Sequence, residues 1–500
     1  MGPIHDNKGL EQGGISSSDK YKIYNNEQSR LAQSSGLGVS VMGHMISAIG
    51  LADDTALVSD SILSLKLLLY LTNQYCDKYS VELFPDKTRL LAFSTSEKDP
   101  LVNYARLTSL ISLHGEKISF SREAEHLGIL RSSTPGSLCN ILVRLQEHNR
   151  KLFSLLPAGL ALGHHANPAA CIRAEQLYAL PVLLSGVAAL VLKKSEVSML
   201  SACYKNTLQR LMKLHEKTPD CAVYFLAGSL PCAAILHLRQ LSLFLMICHL
   251  RDDTLNLLAR SILTNAKPSA KSWFQGIRTL SIQYGLPHPL LLLESPPPKH
   301  HFKKLCKEKV LEFWHEKLSR EADSPSLEYL CPAYLSLTTP HPIWSSLDGN
   351  PYEAKAAKIQ AVFLTGRYRT ARLCRFWSEN NREGYCLLDS CKDRLITEDL
   401  DHIILYCPSL SETRRRLFRF TSDYVAAQPI LSDIIRAYLY ATDTKVVMQF
   451  IIDCSVLPLV ISAHQTHGQD IHKHLYKITR TWCRSLHRDR LRALGRYVNA

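Results

Sequence analysis

Val39 to Leu57 reads VSVMGHMISAIGLADDTAL, two short apolar runs that meet at Leu51-Ala52-Asp53-Asp54. Apolar and β-branched residues broken by Gly predict two strands, and the paired acids at their junction predict a tight turn. Adjacent carboxylates on a hairpin can reach one pair of divalent ions. Two metals about 3.5–4 Å apart can activate a hydroxyl and stabilise a leaving pyrophosphate. An Asx-turn, or the N-cap of the next helix, accounts for the same two residues, so the pair alone is a weak signal. That next helix is predicted over Asp60 to Lys78, with Ser59 or Asp60 as N-cap and Leu65, Leu68, Leu69 and Tyr75 on its apolar side.

Strand signals continue outward from this stretch. Arg89 to Ser94 reads as a short strand, Ser112 to Arg131 as a hairpin around His114-Gly115-Glu116-Lys117, and Glu125 to Leu130 as another strand. Beyond Thr134-Pro135-Gly136 the pattern turns helical as far as about Asp252, with breaks expected at Pro157, Pro181 and Pro231. Pro296-Pro297-Pro298 and Thr339-Pro340-His341-Pro342 are linker signals on either side of a charged helix, Phe302 to Arg320. The pairs His164-His165 and His300-His301 read as surface polar residues. Cys171, Cys203, Cys221 and Cys232 lie among apolar residues and read as core.

Composition narrows the class. The chain has 500 residues, 46% hydrophobic and 21% charged, which excludes a disordered, collagen-like or low-complexity protein and allows two to four packed units. Lys and Arg exceed Asp and Glu by 59 − 45 = 14, so a polyanionic partner is expected; charge alone fits nucleic acid or an anionic membrane. Fifteen cysteines scattered along the chain suit a reducing, intracellular setting, nucleus or cytoplasm, without disulfides. The polar, Gly-rich start has no signal-peptide core. The longest apolar stretch, Leu180 to Leu192, is well short of the roughly 20 residues a membrane helix needs, so no membrane partner is expected.

Four stretches in order resemble the reverse transcriptases of non-LTR (LINE-type) retrotransposons. Gln12-Gly13-Gly14-Ile15-Ser16-Ser17-Ser18, with Tyr21, Tyr24 and Asn26, is similar to the segment whose Gln-Gly pair opens a helix behind nucleotide and template. Leu51-Ala52-Asp53-Asp54 resembles the Tyr/Phe-Ala-Asp-Asp box, Phe84-Pro85-Asp86-Lys87-Thr88 the following motif, and His126-Leu127-Gly128-Ile129 the primer-gripping hairpin. The chain departs from the pattern at Leu51, where the family has an aromatic residue, at Ser18, often Pro, and at Phe84, often Asn. The resemblance implies that Asp53 and Asp54 hold Mg²⁺, that Lys87 assists pyrophosphate departure, and that Gln12, Gly13, Gly14 and Gly128 line the nucleotide and primer. Physical chemistry suits these roles. Gly13 and Gly14 admit close backbone approach, Lys87 can place a positive charge or a proton at the leaving group, and Gly128 serves a close approach or a β-bulge equally well.

Only eleven residues precede Gln12. The fingers, the strand bearing the first catalytic Asp and the upstream endonuclease of such polyproteins are therefore expected to lie outside this chain, which is expected to be inactive as a polymerase by itself.

Two further features concern binding. Cys386-x4-Cys391-x10-His402-x4-Cys407 is a tetrahedral Cys3His zinc set by residue type, though buried thiols beside a helix histidine fit the spacing too. Together with Leu364 to Thr370 before it and Pro408 after it, the segment resembles the Cys/His region downstream of reverse transcriptase, which implies Zn²⁺; Cys374 is a substitute ligand. Near the end, Lys473, Lys477, Arg480, Arg484 and Arg488 share one face of a helix, and Leu475, Ile478, Trp482 and Leu486 another. A nucleic-acid clamp and a merely solvated basic face both fit this pattern. Arg367, Arg369, Arg372 and Arg375, and Arg414-Arg415-Arg416, flank the Cys/His segment.

The expected class is α+β: a partial reverse-transcriptase palm at 1–132, a helical thumb and connector at 133–345, a zinc-binding unit at 346–425 and a basic helical tail at 426–500. The function implied by resemblance is RNA-directed DNA synthesis, with RNA template and DNA target or primer as partners. The alternative is a nonenzymatic fragment that grips RNA or DNA with the zinc unit and tail.

Overall fold

The computed structural model describes residues 16–41, 43–51, 54–81, 83–93, 112–113, 116–133, 136–157, 159, 166–250, 254–265, 267, 271–374 and 383–495. The described chain is mostly helical with a few two-stranded pairings, which is the α+β class at its coarsest. It divides into two compact units, each assembled from three stretches: 1–143, 185–196 and 239–303 in the first, 144–184, 197–238 and 304–500 in the second.

In the first unit the stretch around the paired acids is a hairpin. Ala48–Leu51 and Asp54–Leu57 run antiparallel, with Ala48 opposite Leu57 and Leu51 opposite Asp54. The following helix is Ile62–Tyr79, and its N-cap is Ser61, whose side chain accepts from the Ser64 amide at 3.1 Å. Ser59 instead accepts from the Ser61 amide, so the serine two places on takes the capping position expected of Ser59 or Asp60. Leu68 and Tyr75 are buried as the helical period requires. The helix packs against Ser17–Ser34, and Lys78 bonds Glu27 at 2.8 Å across them. Leu63, Leu67 and Tyr70 lie exposed on its outer side.

The remaining strands differ from expectation in extent. Arg89–Leu90 is a two-residue strand pairing in parallel with Ser119–Phe120, and beside them Ile118 is packed by Leu65, Leu69, Leu83 and Leu90. Ser112–Leu113 pairs with Glu116–Lys117, as the hairpin reading expects. Glu125 to Leu130 is two strands rather than one: Glu123–His126 turns back as Ile129–Ser132. Leu127 and Gly128 between them have φ of 56° and 70°, the doubly left-handed pair of a type I′ turn, and Gly is the residue that tolerates it without cost. Among the described residues these strands pair only two by two.

Pro181 does not break its helix. It sits at the start of Leu180–Leu183, directly after the wide turn Glu175–Ala179, where a missing amide is accommodated. Pro231 does separate two helices, Asp220–Ala227 and Cys232–Cys248, bent by 66°. No single helix among the described residues is long and apolar enough to cross a membrane.

The second unit is organised around Gln469–Ala493. This helix contacts Pro351–Leu364, Ser411–Ala426, Thr444–Ile452 and Pro458–His467, and it buries Leu475, Ile478, Trp482 and Leu486. Each such side chain contributes about 1.5–3 kcal/mol of apolar burial. Polar links fix the packing: Trp482 Nε1 donates to Thr421 Oγ1 at 3.1 Å, and Gln360 Nε2 to Thr479 Oγ1 at 3.0 Å. Arg480 departs from the expected basic face. It is buried, donates to Ser346 at 2.9 Å and contacts Glu353 at 2.8 Å, so it belongs to the packing.

A fully buried carboxylate, Asp453, sits beneath this helix. Its Oδ1 accepts from Ser455 Oγ and Tyr476 OH, each at 2.7 Å, and its Oδ2 faces His341 Nε2 at 3.3 Å. Burial alone would raise its pKa, but His341 and the hydrogen bonds outweigh burial and hold it below the usual 3.8. A lowered folded-state pKa means stability present above the unfolded value and lost as pH falls through the folded one. Asp453→Asn is therefore expected to cost about 2 kcal/mol near neutrality. In chemical unfolding followed against pH, the gap to the wild-type chain should close below pH about 4; a gap independent of pH would contradict the charged state.

Candidate metal centre and its basic surround

The chain between Gly384 and Cys407 forms a closed knuckle. Gly384 has φ +76°, and a Cβ there would meet Arg372 Cα at 2.7 Å, so only Gly fits. Tyr385 bridges Thr397, the Cys386 amide donates to Ile396 O at 2.8 Å, and the Glu398 amide to Gly384 O at 3.0 Å. These bonds bring Cys386 back over the segment that leads into His402. The Cys391 amide closes a turn onto Leu388 O at 2.8 Å.

His402 and Cys407 are brought together by an unusual turn. In an α-helix positions five apart lie about 140° apart around the axis. Here His402–Tyr406 is a wide π turn, opened by Asp399, which accepts from the His402 amide at 2.9 Å, and closed by the Cys407 amide on His402 O at 2.6 Å. The widened turn lets both side chains reach the same point, a common use of such turns.

The ligand atoms of Cys386, Cys391, His402 and Cys407 all lie within 4.8 Å of one another, and all four residues are buried. Cys391 Sγ is 3.6 Å from His402 Nε2 and 3.6 Å from Cys407 Sγ. Zn–S bonds of about 2.3 Å and Zn–N of about 2.0–2.1 Å at tetrahedral angles place S and N about 3.6 Å apart and two S atoms about 3.8 Å apart. Both separations match, and they are far beyond a disulfide's roughly 2.05 Å. This donor set could hold a metal ion such as zinc. Cys374 does not join the four, so it is not a substitute ligand in this arrangement.

Packing three sulfurs together makes charge uneven. Hydrogen bonding from Cys386, with help from His402 and Cys391, brings the Cys407 thiol down to about 4 despite burial. Cys386 is pushed up by that same hydrogen bond and by burial, and Cys391 by burial and by Cys407. A divalent cation is the group that lets all three be thiolates together.

Behind the knuckle stands a buried ion pair that no sequence period signals. Glu398 takes both arms of Arg490, Nε to Oε1 at 2.9 Å and Nη2 to Oε2 at 2.7 Å, and also accepts from the Ala371 amide at 2.6 Å. Arg490 Nη2 further reaches Arg369 O at 3.1 Å. Burial would lower the Arg490 pKa, but Glu398 outweighs burial and the guanidinium is held above its ordinary value. Arg414 donates to Cys407 O at 2.6 Å and joins the last ligand to the helix that follows. The Cys/His segment and the terminal helix are thus one packed body.

Basic residues gather on the outside of this body. Arg416, Arg488 and Arg492 surround Asp489 at 2.7, 2.9 and 3.5 Å, three cations on one carboxylate. Lys477 and Arg484 are exposed and lie over the rings of Tyr424 and Tyr352. Arg369 and Arg372 are exposed, and Arg375 lies outside the described residues.

The polymerase-like residues fare differently. Gln12, Gly13, Gly14, Ala52 and Asp53 lie outside the described residues, as do His164 and His165. Asp54 is exposed at the start of its strand. Lys87 is exposed, its amide turned onto Phe84 O at 3.1 Å and its Nζ 5.1 Å from the Phe84 ring centre. Among the described residues no second cluster of metal-binding side chains accompanies Asp54. His300 and His301 are exposed on the helix Lys299–Ala322, as expected of surface residues. Cys171, Cys221 and Cys232 are core, but Cys203 is only partly buried.

Comparison with protein-family models, with curated proteins and with solved structures finds no match for this chain.

Proposed function

We propose that the chain acts as a nucleic-acid-binding part of a non-LTR retrotransposon reverse transcriptase, with a zinc-stabilised knuckle and the terminal helix forming the grip. The observation that carries the reading is the buried Cys3His set locked through Glu398 and Arg490 onto a helix whose outer side gathers Arg416, Arg488 and Arg492. Guanidinium groups gathered on one side are the donors that hold a phosphate backbone, singly or in bidentate pairs. The net charge of +14 agrees with such a partner.

Filter binding of the full chain to single-stranded RNA tests it. Log affinity should fall linearly with log salt, by about 0.7 for each phosphate engaged. Arg416→Ala, Arg488→Ala, Arg492→Ala in one chain should flatten the slope by about 0.7 for each phosphate that the arginines no longer hold. A wild-type slope near zero would refute phosphate binding.

The polymerase reading rests on the resemblance of the four ordered motifs, and the hairpin that presents Asp54 is compatible with it. In that reading Asp53 and Asp54 hold Mg²⁺ and Lys87 assists the leaving pyrophosphate during RNA-directed DNA synthesis. Primer extension on RNA with Mg²⁺ and deoxynucleotides separates the two: extension abolished by Asp53→Asn with Asp54→Asn supports polymerisation, whereas salt-sensitive binding without extension supports the grip alone.

A further inference from the structure

A second cluster of reactive side chains lies elsewhere in the second unit, apart from the metal centre's ligands. Cys203 Sγ is 3.5 Å from His148 Nδ1, and His148 Nε2 is 3.2 Å from Glu175 Oε1. His148 and Glu175 are fully buried, while Cys203, on the helix Lys194–Met212, is partly exposed. Thiol, imidazole and carboxyl group therefore stand in series, each within or near hydrogen-bond reach of the next.

Two observations set this apart from a thiol that merely fills space. Glu175 Oε2 is buried with no hydrogen-bond partner, and burial outweighs the pull of His148 and raises the Glu175 pKa, so this acid sits at an energetic cost. Glu175 also opens the wide turn Glu175–Ala179, an irregularity that commonly marks functional positions and here sets its register toward His148. Burial opposes a charge on His148, yet its hydrogen bonds to Cys203 and Glu175 outweigh burial and raise it to about 9.

We propose that Cys203 is a reactive thiol, oriented and activated by His148 and Glu175, whose substrates are low-molecular-weight disulfides. In the step, Cys203 gives its proton to solvent and its sulfur attacks one sulfur of the disulfide. The old S–S bond breaks as the new one to Cys203 forms, and the departing thiolate takes a proton from the His148 imidazolium, which solvent restores. One disulfide enters; one mixed disulfide and one thiol result, with no other oxidant.

The full chain, treated with glutathione disulfide at neutral pH and mapped by mass spectrometry, tests this. Cys203 should gain the glutathionyl group at least tenfold faster than Cys139, Cys331 and Cys374, the other partly exposed cysteines. His148→Gln should remove at least tenfold of that rate, and Glu175→Gln a smaller share, while Cys139 reacts as before in both. An unchanged rate at Cys331, which lies in the same unit as His148 and Glu175, also reports that the variants fold. Equal rates for Cys203 and Cys139 in the wild-type chain would overturn the proposal without any variant. So would a folded His148→Gln chain that reacts at the wild-type rate.

Discussion

Purified under reducing conditions, the full chain is expected to carry one zinc ion, and Cys391→Ser to carry essentially none. Cys391 is the ligand whose sulfur sits 3.6 Å from both His402 Nε2 and Cys407 Sγ, so its loss opens the tetrahedron at its best-defined corner. Structural zinc contributes apparent binding energies on the order of 10–16 kcal/mol in small finger peptides. Losing one ligand of four should cost this unit at least about 3 kcal/mol, and a unit of its size moves about 2–4 °C per kcal/mol, so its thermal transition should fall on the order of 10 °C. Cys374→Ser, outside the ligand set, should keep both zinc and transition. Metal analysis with calorimetry of the three chains decides the matter: a wild-type chain without stoichiometric zinc, or a Cys391→Ser chain as stable as the wild type, would remove the metal centre.

How much of this was legible beforehand depends on the range of each interaction. The candidate ligand set was readable because thiol and imidazole are few and their chemistry is specific: residue type and order singled out Cys386, Cys391, His402 and Cys407, although the spacing fitted buried thiols as well and zinc was implied by the resemblance. The apolar face of the terminal helix was readable for a different reason: its 3.6-residue period is local, and Leu475, Ile478, Trp482 and Leu486 are buried as that period requires. On its polar side only Arg480 was misplaced, because periodicity says which side faces inward but not how far the packing extends. Pro351–Leu364 packs against this helix, and Glu353 on it takes Arg480 out of solvent. The strand pattern of Glu125 to Leu130 hid the turn at Leu127-Gly128, which only the resemblance to a hairpin marked, because a type I′ turn usually announces itself as Asn-Gly or Asp-Gly and a Leu in the left-handed region is uncommon. The series Cys203, His148 and Glu175 joins residues 27 and 55 positions apart on three elements, and no pattern within one element reports such an approach.

Glu398 belongs with these long-range features, and its replacement is the second large effect expected. It lies 92 residues from Arg490 in sequence, yet both of its oxygens meet that guanidinium in the interior, and one also accepts from the Ala371 amide. Desolvating such a pair cancels much of its attraction, so the pair need not add stability over two well-packed apolar residues. Breaking it is another matter. Glu398→Ala leaves Arg490 buried without its partner and the Ala371 amide unpaired, for an expected loss of about 3–5 kcal/mol. Glu398→Leu with Arg490→Leu removes both charges, so its cost should be smaller than the sum of the two single changes by at least about 1 kcal/mol. Because the Glu398 backbone also bonds Gly384 and Arg372, the damage should reach the knuckle: zinc should leave Glu398→Ala faster than the wild-type chain when a chelator is added. Urea unfolding of the four-member leucine cycle and of Glu398→Ala, with chelator-driven zinc release from Glu398→Ala and the wild-type chain, measures both effects. Strict additivity in the cycle would show that the two side chains are not coupled, and an unchanged release rate would show that the knuckle stands without this support.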